Sequence, residues 1–279
     1  MTKATTIAPE ERSMSANPLT TDDAMVLRED RGGVAHLTLN RPGQFNALSD
    51  AMLGAVIEQL DAIAADTSVR VVVLGGAGKA FCAGHDLKEM RGNHTLEFQQ
   101  ALFRKCTKLM LKIIHMPQPV IARIHGIATA AGCQLVSMCD LAVSADVARF
   151  AVSGINVGLF CSTPAVGLSR NMGRKEAFEM LVTGEFIDAP EAQRRGLVNR
   201  VVPLESLDDE IGRLTASICA KTPVAVQMGK QLFYQQLETG IEAAYQMAAE
   251  TMACNMMTED AAEGIDAFIA KRKPDWKGR

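Results

Sequence analysis

Ala80-Phe81-Cys82-Ala83-Gly84-His85-Asp86-Leu87-Lys88-Glu89-Met90 is followed, roughly forty residues later, by Ile124-His125-Gly126-Ile127-Ala128-Thr129-Ala130-Ala131-Gly132-Cys133-Gln134-Leu135-Val136-Ser137-Met138-Cys139-Asp140. In each stretch an apolar strand runs into a small-residue turn, and the turn opens a helix. Asp86 is a ready N-cap with Glu89 three residues on. A turn of this kind leaves backbone N–H groups unpaired and able to face a ligand oxygen. The small residues before Gly132 permit close approach of a ligand, and a helix N-terminus favours developing negative charge. Taken singly, either stretch also reads as an ordinary strand–turn–helix junction. Two such junctions facing each other could supply a two-donor oxyanion hole.

Working outward, Met25–Arg28 and Val34–Leu39 read as two strands around the Gly32-Gly33 turn, a hairpin signal. Arg41-Pro42-Gly43 breaks the run. Leu53, Val56, Ile57, Leu60 and Ile63 then recur at helical spacing, with Ser49 or Asp50 available as N-cap. Val69–Leu74 is short, β-branched and stopped by Gly75-Gly76, as suits a strand buried on both faces. A helix follows over about 98–115 and is ended by Pro117 and Pro119. Val120–Ile124 is a further buried strand, Ala131–Met138 a short helix, and Leu141–Ser144 and Arg149–Val152 are extended. This alternation predicts mostly parallel strands with crossover helices. From Leu204 the pattern is almost wholly helical, over Leu207–Lys221, Pro223–Gln236, Ile241–Met256 and Glu259–Lys271. The expected organisation is an arm over residues 1–24, an α/β core over 25–203 and a helical region over 204–279.

The chain of 279 residues is 48% hydrophobic with a net charge of −3, which gives no electrostatic footprint for nucleic acid or an anionic membrane. No apolar run approaches the length of a membrane span. The seven cysteines are scattered, odd in number and without C-x-x-C spacing, so they read as reduced thiols, with no metal site expected. The first 24 residues have no apolar h-region and carry Glu10, Glu11, Asp22 and Asp23. They read as a disordered arm rather than a secretory or transit segment. The location expected from these features is cytoplasmic. Gly75-Gly76-Ala77-Gly78-Lys79-Ala80 lacks the spacing of a phosphate-binding loop, and no G-x-G-x-x-G follows a strand, so nucleotide folds have no support.

The pair F-C-A-G-H-D-L (81–87) and H-G-x-A-x-A-A-G-C-Q-L-x-x-x-C-D (125–140) resembles the paired signature of the enoyl-CoA hydratase/isomerase (crotonase) superfamily. Leu39-Asn40-Arg41-Pro42 with Asn46-Ala47-Leu48, then Leu181-Val182-Thr183-Gly184, Gly196-Leu197-Val198 and Ala267–Pro274, are similar to its other landmarks. The match covers about residues 25–275. It implies an α/β fold, a crotonase-like spiral of β-β-α units with a helical C-terminal region serving oligomerisation and CoA cover. It also implies an oxyanion hole from the backbone N–H groups of His85 and Ala131, where Ala131 can stand for the usual glycine if its φ is negative. The substrate implied is an acyl-CoA or enoyl-CoA thioester, with coenzyme A carried by the substrate and no separate cofactor. Coenzyme A is expected near Gln44, Phe45, Ala83, Asp86, Leu87 and Lys88, with Phe268 and Lys271 at its nucleotide end. For Lys271 a solvated basic tail remains the alternative. A homotrimer or homohexamer is implied, with no nucleic-acid or membrane partner.

The sequence departs from that pattern at both positions where hydratases of the family hold a water between two glutamates. One position is Gln134, which does not titrate near neutral pH, and the other aligns with Gly154. The loop Leu159–Gly167 is also about two residues longer than usual. Ser153, Asn156, Cys161 and Ser162 are further candidates near the thioester. This combination is most similar to the branch called enoyl-CoA hydratase domain-containing protein 3. Two readings stay open, an enzyme that stabilises a thioester enolate and an acyl-CoA-binding pseudoenzyme that sequesters or regulates. Gln134→Glu together with Gly154→Glu is expected to raise hydration of crotonyl-CoA if the first holds, unless a positive φ at Gly154 makes any side chain there strain the loop.

Overall fold

A computed structural model describes residues 24–279. The arm expected over residues 1–24 therefore lies outside the described residues but for its last one. Strands β1 (Val26–Arg31) and β2 (Val34–Leu39) form an antiparallel hairpin. Gly32 and Gly33 have φ of +57° and +81°, the conformation that two-residue hairpin turns demand. Arg31 already pairs with Val34, so β1 runs three residues past the expected Arg28.

Helix α1 (Asp50–Ala64) is capped by the Ser49 side chain, which accepts from Met52 N. Its buried face holds Leu53, Val56, Ile57, Leu60 and Ile63, the periodic set. Next come β3 (Val71–Gly76), β4 (Ala80–Cys82), α2 (Leu87–Gly92) and α3 (Leu96–His115). Two more rounds follow as β5 (Val120–Ile124), β6 (Ile127–Thr129) and α4 (Ala131–Met138), then β7 (Leu141–Ala145), β8 (Arg149–Ala151) and α5 (Ser162–Asn171). Helix α6 (Arg174–Thr183), β9 (Ile187–Asp188), α7 (Ala189–Arg194) and β10 (Arg200–Val202) complete the core.

The strands sort into two sheets. One has the order β1-β2-β3-β5-β7-β10 and the other β4-β6-β8-β9. Each round therefore gives a long strand to the first sheet, a three-residue strand to the second, and then helix. This is the spiral of β-β-α units. From β2 onward the first sheet is parallel, and β4, β6 and β8 are parallel in the second.

Both faces of the larger sheet are covered, which explains its continuous apolar strands. Val72 and Leu74 point to the main core with α1, α3 and α4. Val71 and Val73 point the other way, onto Leu207 and Ile211 of α8 (Leu207–Cys219). The chain ends in α9 (Pro223–Leu237), α10 (Ile241–Met256) and α11 (Glu259–Ile269).

A buried ion pair ties α9 to the core. Lys230 Nζ donates to Asp140 Oδ2 at 2.7 Å and to the carbonyls of Ile113 and Gln118 at 2.7 and 2.8 Å. Asp140 also accepts from Val120 N at 2.6 Å and Tyr234 OH at 2.8 Å. Burial pushes the lysine below its ordinary pKa against the opposing pull of Asp140.

Candidate active site

The two quoted junctions follow β4 and β6, which are neighbours in the small sheet. Their contact is close enough to require small residues. A Cβ on Gly132 would stand 2.1 Å from the Cys82 carbonyl oxygen. Gly84 has φ +94°, and a Cβ there would come within 2.9 Å of the Ala130 Cβ and 3.3 Å of Ala131 N. Thr129 Oγ1 stitches the junctions by donating to the Ala83 carbonyl at 3.0 Å. Gly84 and Ala131 N thus lie side by side.

His85 N–H is aimed by a short parallel bridge. Leu48 N donates to Gly84 O at 2.8 Å, and Asp86 N donates to Leu48 O at 3.3 Å. In that pattern both bonds run through the neighbours of His85, so its own N–H points away from Leu48. Ala131 N belongs to the first turn of α4, where a helix has no carbonyl to offer it. Ala131 does not have a positive φ, which meets the condition set by the sequence. The strain falls one residue earlier. Ala130 has φ +49° and ψ −119°, a conformation that L-residues avoid. We expect Ala130→Gly to raise stability by about 1 kcal/mol in a denaturant melt, the strain relief exceeding the added chain entropy. A loss of stability would show that Ala130 is unstrained.

A cavity of about 470 Å³ opens at these junctions, and His85, Ala131, Ala83, Leu87 and Gly154 all line it. Met90 and Phe103 line it as well. Neither was singled out from the sequence as a site residue, because α2 is only six residues long and Phe103 reads as part of the packed face of α3. Gln134 is buried with its Oε1 unpartnered among the described residues, and it is not among the lining residues. Asn156 instead donates to the Gly184 carbonyl at 3.4 Å.

The His85 ring is fixed in one neutral form. Its Nδ1 stands 3.2 Å from the Leu48 carbonyl, which can only accept, so Nδ1 carries the proton. Nε2 is then a lone pair, buried and without a partner among the described residues, and Phe103 meets the ring edge-on at 5.3 Å. Burial pushes the imidazole pKa down. Burial also raises the Cys161 thiol and pushes Cys82, Cys106 and Cys133 up to about 12, so all four read as packed thiols rather than nucleophiles.

Gly154 has no room for a side chain. Its φ is not positive, but a Cβ would lie 2.7 Å from Cys161 Sγ and 2.8 Å from the Leu159 carbonyl oxygen. The loop is folded back onto this residue by Leu159 N, which donates to Gly154 O at 2.9 Å. Gly154→Ala should therefore cost about 1–3 kcal/mol in a thermal or urea melt. A neutral result would mean that the loop can move aside.

Of the residues expected to hold coenzyme A, Gln44 and Phe45 lie in and after a 3₁₀ turn (Pro42–Gln44), where the Phe45 carbonyl accepts from Ala83 N at 3.0 Å. Asn46 fixes this loop. It is buried, and its Nδ2 donates to the carbonyls of Ala77 and Ala80 at 2.9 and 2.8 Å. Asp86 caps α2 and meets Arg41 Nη2 at 3.2 Å. Glu89 does not close the capping box on Asp86 but accepts from Asp50 N at 2.9 Å. Lys88 is exposed. Phe268 and Lys271 stand at the end of α11 and do not line the cavity, Phe268 being 85% exposed.

Comparison with known proteins agrees with this architecture. The family model for enoyl-CoA hydratase/isomerase matches residues 29–279. A solved enoyl-CoA hydratase from Mycobacterium smegmatis is 62% identical and superposes with a TM-score of 0.89 over 90% of this chain and 98% of its own. The structure of human enoyl Coenzyme A hydratase domain-containing protein 3 is 41% identical, with a TM-score of 0.88 over 90% of this chain and 100% of its own. The Rattus norvegicus protein named enoyl-CoA hydratase domain-containing protein 3, mitochondrial, is 43% identical over 88% of this chain and 81% of its own length. That name overturns the cytoplasmic location expected from the sequence. Unpaired thiols distinguish oxidising from reducing compartments and cannot tell one reducing compartment from another. With the fold, the paired junctions and a match over almost the whole described length in agreement, the chain belongs to the enoyl-CoA hydratase/isomerase family.

Proposed function

We propose that this chain is an acyl-CoA thioester enzyme that stabilises an enolate between the N–H groups of His85 and Ala131. The observation that carries this reading is the side-by-side placement of Gly84 and Ala131 N, with His85 and Ala131 both lining the cavity. Oxyanion-hole donors bind most strongly where charge develops, and one donor is worth roughly 3–4 kcal/mol where it has been removed. Because both donors are main-chain, they do not depend on the missing glutamates. Water addition of the standard kind is not proposed. Gln134 cannot accept a proton near neutral pH, and Gly154 neither supplies a group nor has space for one.

In this reading Gln44, Phe45, Ala83, Asp86, Leu87 and Lys88 hold coenzyme A, and Phe268 and Lys271 meet its nucleotide end. No cofactor is needed beyond the coenzyme A of the substrate. The helical region from 204 covers the ligand and associates with further copies. Tyr245, Met252, Met257 and Phe268 stand exposed on or beside α10 and α11, which favours a homotrimer or homohexamer. The test is the infrared band of a ¹³C-labelled thioester carbonyl in butanoyl-CoA bound to the full chain. The band should move to lower frequency on binding. An unshifted band in a saturated complex would overturn the oxyanion hole.

The state of the two titratable side chains that line the cavity also favours the binding-only alternative. His85 is neutral, its Nε2 is sealed in, and the Cys161 thiol is held protonated by burial. A panel of enoyl-CoA thioesters showing binding without turnover would select that alternative.

A further inference from the structure

We infer that the cavity is a selective site for uncharged hydrocarbon acyl chains and that the segment 157–160 reads their length. This rests on the thioester reading above and goes beyond it by naming the class of acyl group. The first observation is what the lining lacks. No Asp, Glu, Lys or Arg lines the cavity, whose polar side chains are hydroxyls, the Cys161 thiol and the neutral His85. A carboxylate at the far end of an acyl chain would lose its water there and find no cation in exchange.

The second observation is the rim. Leu87 on α2 is 53% exposed, and Val157, Leu159 and Phe160 on the opposite loop are 60%, 48% and 46% exposed. All four line the cavity, with Met90 and Phe103 beside them. Large apolar side chains gathered at one mouth are a poor solution in water and a good one against an alkyl chain. The loop holds them in place. Gly158 turns it at φ +80°, Leu159 N is bonded to the Gly154 carbonyl, and Cys161 closes the far end inside the core. Longer chains therefore meet successive apolar residues rather than solvent.

Burial of one methylene is worth about 0.8 kcal/mol, or roughly fourfold in affinity. We expect calorimetric titration of the full chain to show Kd falling about two- to fourfold per methylene from butanoyl- to octanoyl-CoA. Adipyl-CoA should bind at least about tenfold more weakly than hexanoyl-CoA, which has the same carbon count without the terminal carboxylate. Phe160→Ser should cost decanoyl-CoA about tenfold more than butanoyl-CoA. Leu159→Arg should bring adipyl-CoA up to the affinity of hexanoyl-CoA. A flat length series, or equal binding of adipyl- and hexanoyl-CoA by the wild type, overturns the inference. So does a Phe160→Ser variant that changes sedimentation size while keeping the length dependence, since the rim would then belong to a second copy of the chain. If butanoyl-CoA binds with a shifted carbonyl band and the series is flat, only this inference falls. If no thioester binds, the functional reading falls with it.

Discussion

Crotonyl-CoA should be hydrated by this chain roughly 10³-fold or more slowly than by a family member that carries both glutamates. General acid and base groups contribute about 10²–10⁴-fold, and the groups that remain cannot supply that factor. Gln134 does not titrate and is not among the cavity lining, Gly154 is walled in by Cys161 and Leu159, and His85 is neutral with its free nitrogen buried. The rate is read from loss of enoyl absorbance at neutral pH, with acyl-CoA binding measured beside it. Full-speed hydration would mean that another group activates water. Returning only Gln134→Glu should gain little, because two carboxylates that share one water act as a unit. Adding Gly154→Glu should unfold the loop before it helps, since the obstacle is occupied space.

The largest loss of stability is expected from Lys230→Met, about 3–5 kcal/mol, the usual result of removing one partner of a buried ion pair. The substitution strands the Asp140 carboxylate and the carbonyls of Ile113 and Gln118 together. Urea denaturation should show the loss, and Asp140→Asn in the same chain should recover part of it. A change under 1 kcal/mol would show that water reaches the site. The effect should also be long-range, because this pair fastens α9 to the start of β5 and the end of α4.

Much of this architecture was legible in the residues. The boundaries of α4 at Ala131–Met138 and α10 at Ile241–Met256 agree with the sequence reading because each is bracketed by sharp signals. Ala130 and Ala131 stood out as small residues opening a helix, and the structure places them against Gly84. The occupied space around Gly154 was not legible. A glycine's neighbours come from a loop that folds back, and no periodicity records that. Nor could the sequence reveal Lys230. A lysine on a helix reads as solvent-facing until Asp140, ninety residues away, is brought beside it. Asn46 was visible only as a landmark, and its hydrogen bonds to Ala77 and Ala80 need the fold to exist.

The adjacency of β4 and β6 has a metrical consequence. Neighbouring strands in any sheet stand about 4.8 Å apart, a distance fixed by the peptide hydrogen bond rather than by side chains. Donors carried just beyond two such strands start from an interval of that order. An oxygen about 2.9 Å from each would sit at the apex of an angle near 110°, close to the directions of its two lone pairs. The gauge of the site is then the gauge of the backbone itself. In the proposed reading, substitution can reshape the walls and replace the water-holding positions, Gln134 and Gly154, while the two donors, being main-chain, are kept.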